Sequence, residues 1–457
     1  MSKTLRRSCS ACANFKHSCD RRTPSCSRCI KRRVLCVYAN EPWTIPPGPA
    51  GREHGTSIAT AKKAVILTSS RFGSLDPFES YPSTRLPRER VQRLIHNFLH
   101  KIAFQYYPLD LNATSNPFLI SWWPLALGDP ALFHVSLQTA SLDEELLAQK
   151  GFQMSELLMA DSVALLRRKI EEPSLAVQDG TMNSVITLAT IEFGKGNMET
   201  SQMHVEGVKQ LVKMRGGINA VRQTSPLTAR MVSWVTMLIM GHPQFNTQND
   251  LGFGDGIPPI PEWQIDPASL SSPLSTLTEA DMDSEVKNVF DRLRRIFALA
   301  QDTPFQSTQL HDLACFVIHR LLPSLSDASE KCSHVSESVR YAIILYMFLL
   351  QGPTYYSHAT ILNSIATQLL KHLKHFRPRP SIDASLNIWL LSIGMVASFG
   401  TDHYHSFLEK ARENGKVLNL ASYHDSLVHL KNILWLDAPH ITTMFRPHWD
   451  IITDAPD

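Results

Sequence analysis

From residue 91 onward, apolar residues recur at the spacing of an α-helix. Val91, Leu94, Ile95, Phe98, Leu99 and Ile102 fall at i, i+3, i+4, i+7, i+8 and i+11, which places them on one face of a helical cylinder. Leu157, Leu158, Val163, Leu165, Leu166 and Ile170 give a similar pattern. Val205, Val208, Leu211 and Val212 repeat it before Gly216-Gly217, a pair suited to the left-handed conformation that ends helices. The same periodicity predicts helices near 226–241, 283–301, 308–322, 335–351, 357–376, 384–400, 403–418 and 423–436. No convincing period-two alternation marks a strand. The expected fold is all-α, with a large helical body over 76–457.

One stretch interrupts this body. Pro243, Pro258, Pro259, Pro261, Pro267 and Pro273 forbid a continuous helix, so 242–282 is read as a long loop. The body is then either two lobes or one bundle with an insertion, and a loop of this length could cover a groove. Ahead of the body, residues 40–75 are rich in Pro, Gly and Ser and read as a flexible linker with one short apolar piece, Ala64 to Leu67. They carry no a/d heptad run, so the chain acts as a monomer or dimerises through its helical body.

Hydrophobic residues make up 43% of the 457, enough to bury a substantial core. The N-terminus has no apolar stretch of signal-peptide length. The longest apolar runs, Tyr341 to Leu350 and Ile388 to Phe399, fall short of the ~20 residues a bilayer span needs, so no membrane partner is expected. Cysteines in a chain that is not secreted are expected as thiols or metal thiolates.

Charge separates the N-terminus from the rest. Residues 1–40 hold ten Lys and Arg against the single acid Asp20, a local net charge of +9 in a chain whose total is +3. A small basic head on a mildly acidic body points to a polyanion, most often nucleic acid.

The same head, bounded at 1–39, contains six of the eight cysteines: Cys9, Cys12, Cys19, Cys26, Cys29 and Cys36. Their spacing is C-x2-C-x6-C, written twice. Zinc(II) takes four tetrahedral ligands and thiolates suit it. Six thiolates cannot fill two separate four-coordinate sites, but they can if two sulfurs each bridge both ions. His17 lies at no ligand spacing shared by the halves. A segment this short cannot build an adequate apolar core, so zinc has to supply its folding energy, on the order of 10 kcal/mol. The alternative to a DNA-binding head is a zinc staple that only folds its segment.

Residues Cys9 to Tyr38, CSACANFKHSCDRRTPSCSRCIKRRVLCVY, closely resemble the DNA-binding domain of the fungal zinc-cluster transcription factors, with Asp20 after the third cysteine and Pro24 two before the fourth. The resemblance implies two zinc ions bridged by Cys9 and Cys26. One ion would be held by Cys9, Cys12, Cys19 and Cys26, the other by Cys26, Cys29, Cys36 and Cys9. It implies that the helix after the second cysteine enters the major groove of double-stranded DNA and reads a C/G-rich triplet. Lys16 stands where the family places its base-reading cation, and its ammonium can reach guanine O6 and N7. His17, its neighbour in sequence, can join it. Arg21, Arg22, Arg28, Lys31, Arg32 and Arg33 would mostly contact phosphates. The chain departs from the family between the second and third cysteines. There Ala13, Asn14, Phe15, Lys16, His17 and Ser18 include one permanent cation, so weaker affinity or an altered triplet is expected.

The body resembles the second class of fungal-specific transcription-factor regulatory domain. Asp76-Pro77-Phe78, Tyr81-Pro82, Tyr107-Pro108-Leu109-Asp110, Asn116-Pro117-Phe118, Trp123-Pro124-Leu125-Ala126, Asp129-Pro130-Ala131-Leu132 and the segment His204 to Gly217 carry the likeness, which thins beyond about 240. Together the resemblances imply a nuclear transcription factor acting on RNA polymerase II promoters with the transcription machinery as partner. Its targets would be a metabolic or secondary-metabolite gene cluster. The rival reading is a co-regulator whose zinc cluster is a structural or protein-interaction module.

G-x-S-x-G, G-x-x-x-x-G-K-[ST] and H-E-x-x-H are absent, and a closed thiolate shell leaves zinc no open position for water, so no enzyme is expected. Met231, Trp234, Met237, Met240, Trp389 and Met395 could line a cavity but fit a core better. Cys315 and Cys332 read as buried thiols, and His403-x-His405 and His372-x-x-His375 as surface histidines. Lys62-Lys63 and Lys31-Arg32-Arg33 serve equally as import signals or as solvated and phosphate-facing charges. The tail from Trp435 mixes Trp435, Phe445 and Trp449 with Asp437, Asp450, Asp454 and Asp457. It reads as a segment packed on the bundle, with an activation surface as the alternative.

Overall fold

A computed structural model describes residues 11–12, 17–19, 27–32, 81–149, 151–264, 282–302, 304–322, 333–376 and 384–453. The linker at 40–75, with Ala64 to Leu67 and Lys62-Lys63, lies outside these residues, as do Asp76-Pro77-Phe78, Cys332, Asp454 and Asp457. Among the described residues the regular structure is helical, and the only pairing of extended backbone is an isolated bridge between Thr247 and Ile257. In the head lies α1 (Ser27–Arg32).

The body divides into two compact units that part at Met240/Gly241, the start of the proline-rich stretch. The first unit holds α2 (Arg88–Asn97), α3 (Ala103–Tyr106), α4 (Trp123–Gly128), α5 (Pro130–Ala148), α6 (Gln153–Ile170), α7 (Pro173–Ala176), α8 (Asp179–Lys195), α9 (Met198–Met214), α10 (Ile218–Thr224) and α11 (Pro226–Met240). The sequence spacing predicts one uniform α-helical face from Val91 to Ile102. Instead, Phe98–Ile102 forms a π-helical segment between α2 and α3, in which the Ala103 N–H donates to the Phe98 carbonyl. Phe98, Leu99, Ile102, Ala103 and Tyr106 are all buried around this wider turn.

Two helices that the periodicity does not single out, α5 and α8, form the centre of this unit. Every residue from 131 to 143 and from 180 to 192 is buried. They pack against each other, α5 also against α6, and α8 also against α9 and α11. A helix enclosed on all sides needs no polar face, so its sequence carries no helical stripe. Its Ser and Thr hydroxyls are accommodated by donating to carbonyls one turn back. Ser136 bonds Leu132 at 2.7 Å, Thr139 bonds Val135 at 2.9 Å, Ser184 bonds Gly180 at 2.6 Å and Thr187 bonds Asn183 at 2.7 Å.

The short motifs of this unit serve as local fasteners. Asn116 is fully buried; its side-chain amide donates to the carbonyls of Asp110 (2.7 Å) and Tyr107 (3.3 Å), and its oxygen accepts from the Phe118 N–H (2.9 Å). The loop between Tyr107 and Phe118 is thereby closed. Asp129 caps α5, with Oδ1 accepting from the N–H groups of Ala131 (3.0 Å) and Leu132 (3.2 Å). Its Oδ2 pairs with Lys169 on α6. A Cβ at Gly180 would collide with that carboxylate, so glycine there lets α8 approach the start of α5. At the end of α9 the Gly217 N–H donates to Val212 and the Gly216 N–H to Lys213, both glycines having positive φ, as the Gly-Gly pair predicts.

The second unit contains α12 (Ser284–Asp302), α13 (Ser307–Leu321), α14 (His334–Gln351), α15 (Ala359–Leu373), α16 (Ala384–Ala397), α17 (His403–Val417), α18 (Tyr423–Ile433) and α19 (Pro439–Thr453). The predicted spans match α12 to α18 to within a few residues at each end, whereas the spacing predicts no helix over α19, which carries Pro447 in its interior. Helices α14 and α16 are central. Residues 341–351 and 386–397 are buried throughout, α14 touches α13, α15 and α16, and α16 touches α17 and α18. Tyr346 anchors the middle: its hydroxyl accepts the Leu436 N–H at 2.9 Å and its ring lies within 6.4 Å of Trp389, Trp435 and Phe445. Burial pushes that hydroxyl far above the ordinary tyrosine range.

The described part of the proline-rich stretch ends in a 3-10 turn, Pro261–Gln264, whose Trp263 is buried and meets the Phe316 ring edge-on at 5.1 Å. The Met and aromatic residues that could line a cavity are core: Met231, Trp234, Met237, Trp389 and Met395 are buried, with Met240 at the margin. Cys315 is a buried residue of α13, its Sγ 3.6 Å from His319 Nδ1. The tail packs inward: Trp435, Phe445 and Trp449 are buried, and the Trp449 indole N–H donates to Ser392 Oγ at 3.2 Å. Of the histidine pairs, His375 and His405 are exposed. His372 and His403 are half-buried and bonded, to His334 at 3.2 Å and Thr367 at 2.8 Å.

Candidate zinc centre and nucleic-acid interface

The described residues of the head converge on sulfur. Cys12 and Cys29, the second cysteine of each repeat, are 3% and 1% exposed and pack together, with Ala11 and Cys19 against them. These two thiols are the buried side chains among the described head residues. Thiols buried against one another in this way are the arrangement a structural zinc site produces.

Helix α1 explains how one short segment serves both zinc and a polyanion. Its sequence SRCIKR turns Cys29 inward while Arg28, Lys31 and Arg32 stay exposed. At 100° per residue Lys31 lies opposite Cys29 and Arg28 to its side, while Arg32, one turn on, reaches solvent from the end of the helix. Across the other repeat, the His17 N–H donates to the Cys12 carbonyl at 2.8 Å. His17 is half-buried and Ser18 exposed.

The structure thus places Cys12, Cys19 and Cys29 together and sets Arg28, Lys31 and Arg32 outward. Cys9, Cys26, Cys36, Lys16, Arg21, Arg22 and Arg33 lie outside the described residues. Among the described residues no group of three donors is positioned to hold a metal ion, consistent with half of the expected ligands falling outside them. The donor set fits zinc: thiolates are deprotonated ligands, and two cations held among them balance the negative charge that burial would otherwise penalise. No helix among the described residues is long and apolar enough to cross a membrane.

Residues 7–43 match the family described as the fungal Zn(2)-Cys(6) binuclear cluster domain, and residues 93–242 match the fungal specific transcription factor domain. The chain thus carries a zinc-cluster domain, of the kind that takes two zinc ions, followed by a fungal specific transcription factor domain. It is also 36% identical over 78 residues to a protein of Pestalotiopsis microspora described as a transcriptional regulator. That likeness covers 17% of this chain and 17% of the relative. No solved structure matches the chain. The second match ends at residue 242, beside the Met240/Gly241 boundary between the two compact units.

Proposed function

We propose that this protein is a nuclear, zinc-dependent, sequence-specific DNA-binding transcription factor acting on RNA polymerase II promoters. The observation that carries the reading is α1, which buries Cys29 among the thiols and presents Arg28, Lys31 and Arg32 to solvent. Cys9 and Cys26 bridge the two zincs, Lys16 with His17 reads base edges of a C/G-rich triplet, and Arg21, Arg22, Arg28, Lys31, Arg32 and Arg33 hold phosphates. Each zinc is enclosed by four thiolates, so the role is structural and the protein regulates rather than catalyses. The helical body contacts the transcription machinery and offers the surface for a homodimer. A metabolic or secondary-metabolite gene cluster is the target set proposed.

The second reading, a co-regulator with weak DNA binding, is motivated by the segment Ala13 to Ser18, in which Lys16 is the only permanent cation. Selection of binding sites from random DNA with the full-length, zinc-loaded protein separates the two. Recovery of a common C/G-rich triplet, with an affinity that falls steeply with salt, supports the transcription factor. Each phosphate contact contributes a slope of about 0.9 in log K against log salt. Recovery of no common site, with a flat salt dependence, supports the co-regulator.

A further inference from the structure

The chain leaves the first unit at Met240/Gly241 and comes back to it once. Thr354–Tyr356 belong to the first unit, although α14 and α15 on either side of them belong to the second. Thr354 and Tyr356 are buried and Tyr355 is half-buried. The Tyr355 N–H donates to the Gln105 carbonyl at 2.7 Å. That carbonyl lies in the last turn of α3, where carbonyls have no partner within their own helix, so the strap satisfies a group that α3 leaves open. Thr354 Oγ1 donates to the Tyr356 carbonyl at 3.2 Å and braces the three residues.

Three tyrosine rings join the strap to the rest of the unit. The Tyr106 ring of α3 lies 5.1 Å from that of Tyr355, edge-on, and 5.2 Å from that of Tyr356. The two strap rings meet each other edge-on at 5.3 Å. Such contacts between rings add to the stability that their burial alone provides. Tyr106 is buried as well. Its ring stands 4.8 Å from Phe118, and its hydroxyl bonds Thr139 of α5 at 3.4 Å. The contacts therefore run from the strap through Tyr106 to α5, one of the two enclosed helices at the centre of the unit. Burial raises the hydroxyls of Tyr355 and Tyr356 well above the ordinary tyrosine range.

We infer that Thr354–Tyr356 is a clasp that completes the core of the first unit, so that the fungal specific transcription factor domain of this chain is discontinuous. The matched stretch ends at residue 242, and the clasp lies far beyond it. With the clasp unseated, the Gln105 carbonyl loses its partner and one face of Tyr106 loses its packing. Both losses fall on the side of the unit that holds α5. Seating of the passage between α14 and α15 is thereby a condition for the full stability of α5 and α8. The inference concerns the helical body and holds whether or not the head reads a triplet.

Native-state hydrogen exchange of the full-length, zinc-loaded protein tests this. In the unaltered protein the Tyr355 amide is expected to be protected to within about ten-fold of the core amides of α5. Tyr356→Ala should lower protection across α5 and α8 by about ten-fold or more and leave α18 unchanged, as expected for emptying a buried aromatic site. Tyr356→Phe keeps the ring and should preserve protection in α5. Val208→Ala trims a buried residue of α9 elsewhere in the first unit. It should lower protection of Tyr355 and of α5 by the same factor, and this milder variant decides the matter if Tyr356→Ala does not fold. Rapid exchange of Tyr355 in the unaltered protein overturns the inference, as does a Val208→Ala variant that loosens α5 and not Tyr355. A Tyr356→Ala effect that is absent, confined to α14 and α15, or equally large in α18 overturns it too.

Discussion

Cys12 packs against Cys29, joining the second cysteine of one C-x2-C-x6-C unit to its counterpart in the other. The two halves of the head therefore share one core, and losing a ligand from either half should unfold both. Cys29→Ser is expected to remove most of the zinc-linked folding energy of the head, on the order of 10 kcal/mol. Bound zinc per chain should fall below two and DNA binding should disappear. Helical ellipticity should hardly change, because most of the helical residues are in the body. Retention of two zincs by Cys29→Ser would contradict a shared cluster.

Lys16 and Lys31 should fail in different ways. Lys16→Ala is expected to cost about 1–3 kcal/mol against the preferred triplet and little against unrelated DNA. Lys31→Ala should weaken binding to all sequences alike and lower the salt slope by about one contact. Gel-shift titrations of both variants on specific and scrambled sites give the comparison, and unchanged specificity in Lys16→Ala would remove its base-reading role.

Gly394 in α16 faces Phe407 in α17, and a Cβ there would fall inside the buried ring. Gly394→Ala should cost at least about 2 kcal/mol, since overpacking a filled core forces a backbone shift. Adding Phe407→Leu should recover part of the loss. Thermal melts of the single and double variants test this, and an unshifted Gly394→Ala melt would show that the helices part freely.

Acid should destabilise the second unit before its carboxylates titrate. Burial lowers His358 from 6.5 to about 3 and His448 from 6.5 to about 4. The folded state keeps both rings neutral while the unfolded chain protonates them near 6.5. Their contribution is complete above that pH and declines as pH falls, through about 4 for His448 and about 3 for His358. The slope is up to about 1.4 kcal/mol per pH unit for each ring. Denaturant midpoints between pH 7 and 4 measure it. Replacing His448, whose Nδ1 lies 3.0 Å from the Tyr404 hydroxyl, by Asn should flatten the profile.

The C-terminal aromatics are placed as structural groups. Trp449→Ala should destabilise the second unit by about 3–5 kcal/mol, the range for emptying a fully buried aromatic site. Solubility and melting temperature should fall together. A promoter-tethering assay showing lost activation with an unchanged melt would instead favour a coactivator contact.

Much of this protein was legible from its sequence. The cysteine spacing and the +9 head identified the zinc module, because ligand number and charge are local properties of a short segment. Periodicity located α9 and most helices of the second unit, because each keeps one wet face. It passed over α5 and α8, which tertiary structure encloses on every side, so that no polar stripe remained to betray them. It also treated Val91 to Ile102 as uniformly α-helical, where packing of the later apolar residues brought in a π turn.

The sequence by itself determined the amphipathic helices, the metal-binding chemistry and the charge of the head, since these follow from residue types at short separations. Tertiary structure alone decided the partnerships. Tyr346 receives its hydrogen bond from Leu436, ninety positions away; Asp250 gathers Trp263, Asn288, Arg292 and Arg320; and Phe407 occupies the space left by Gly394. Periodicity shows that a face will be buried. Which residues meet there depends on how distant helices fill one another's grooves, and no short-range pattern in the chain records that.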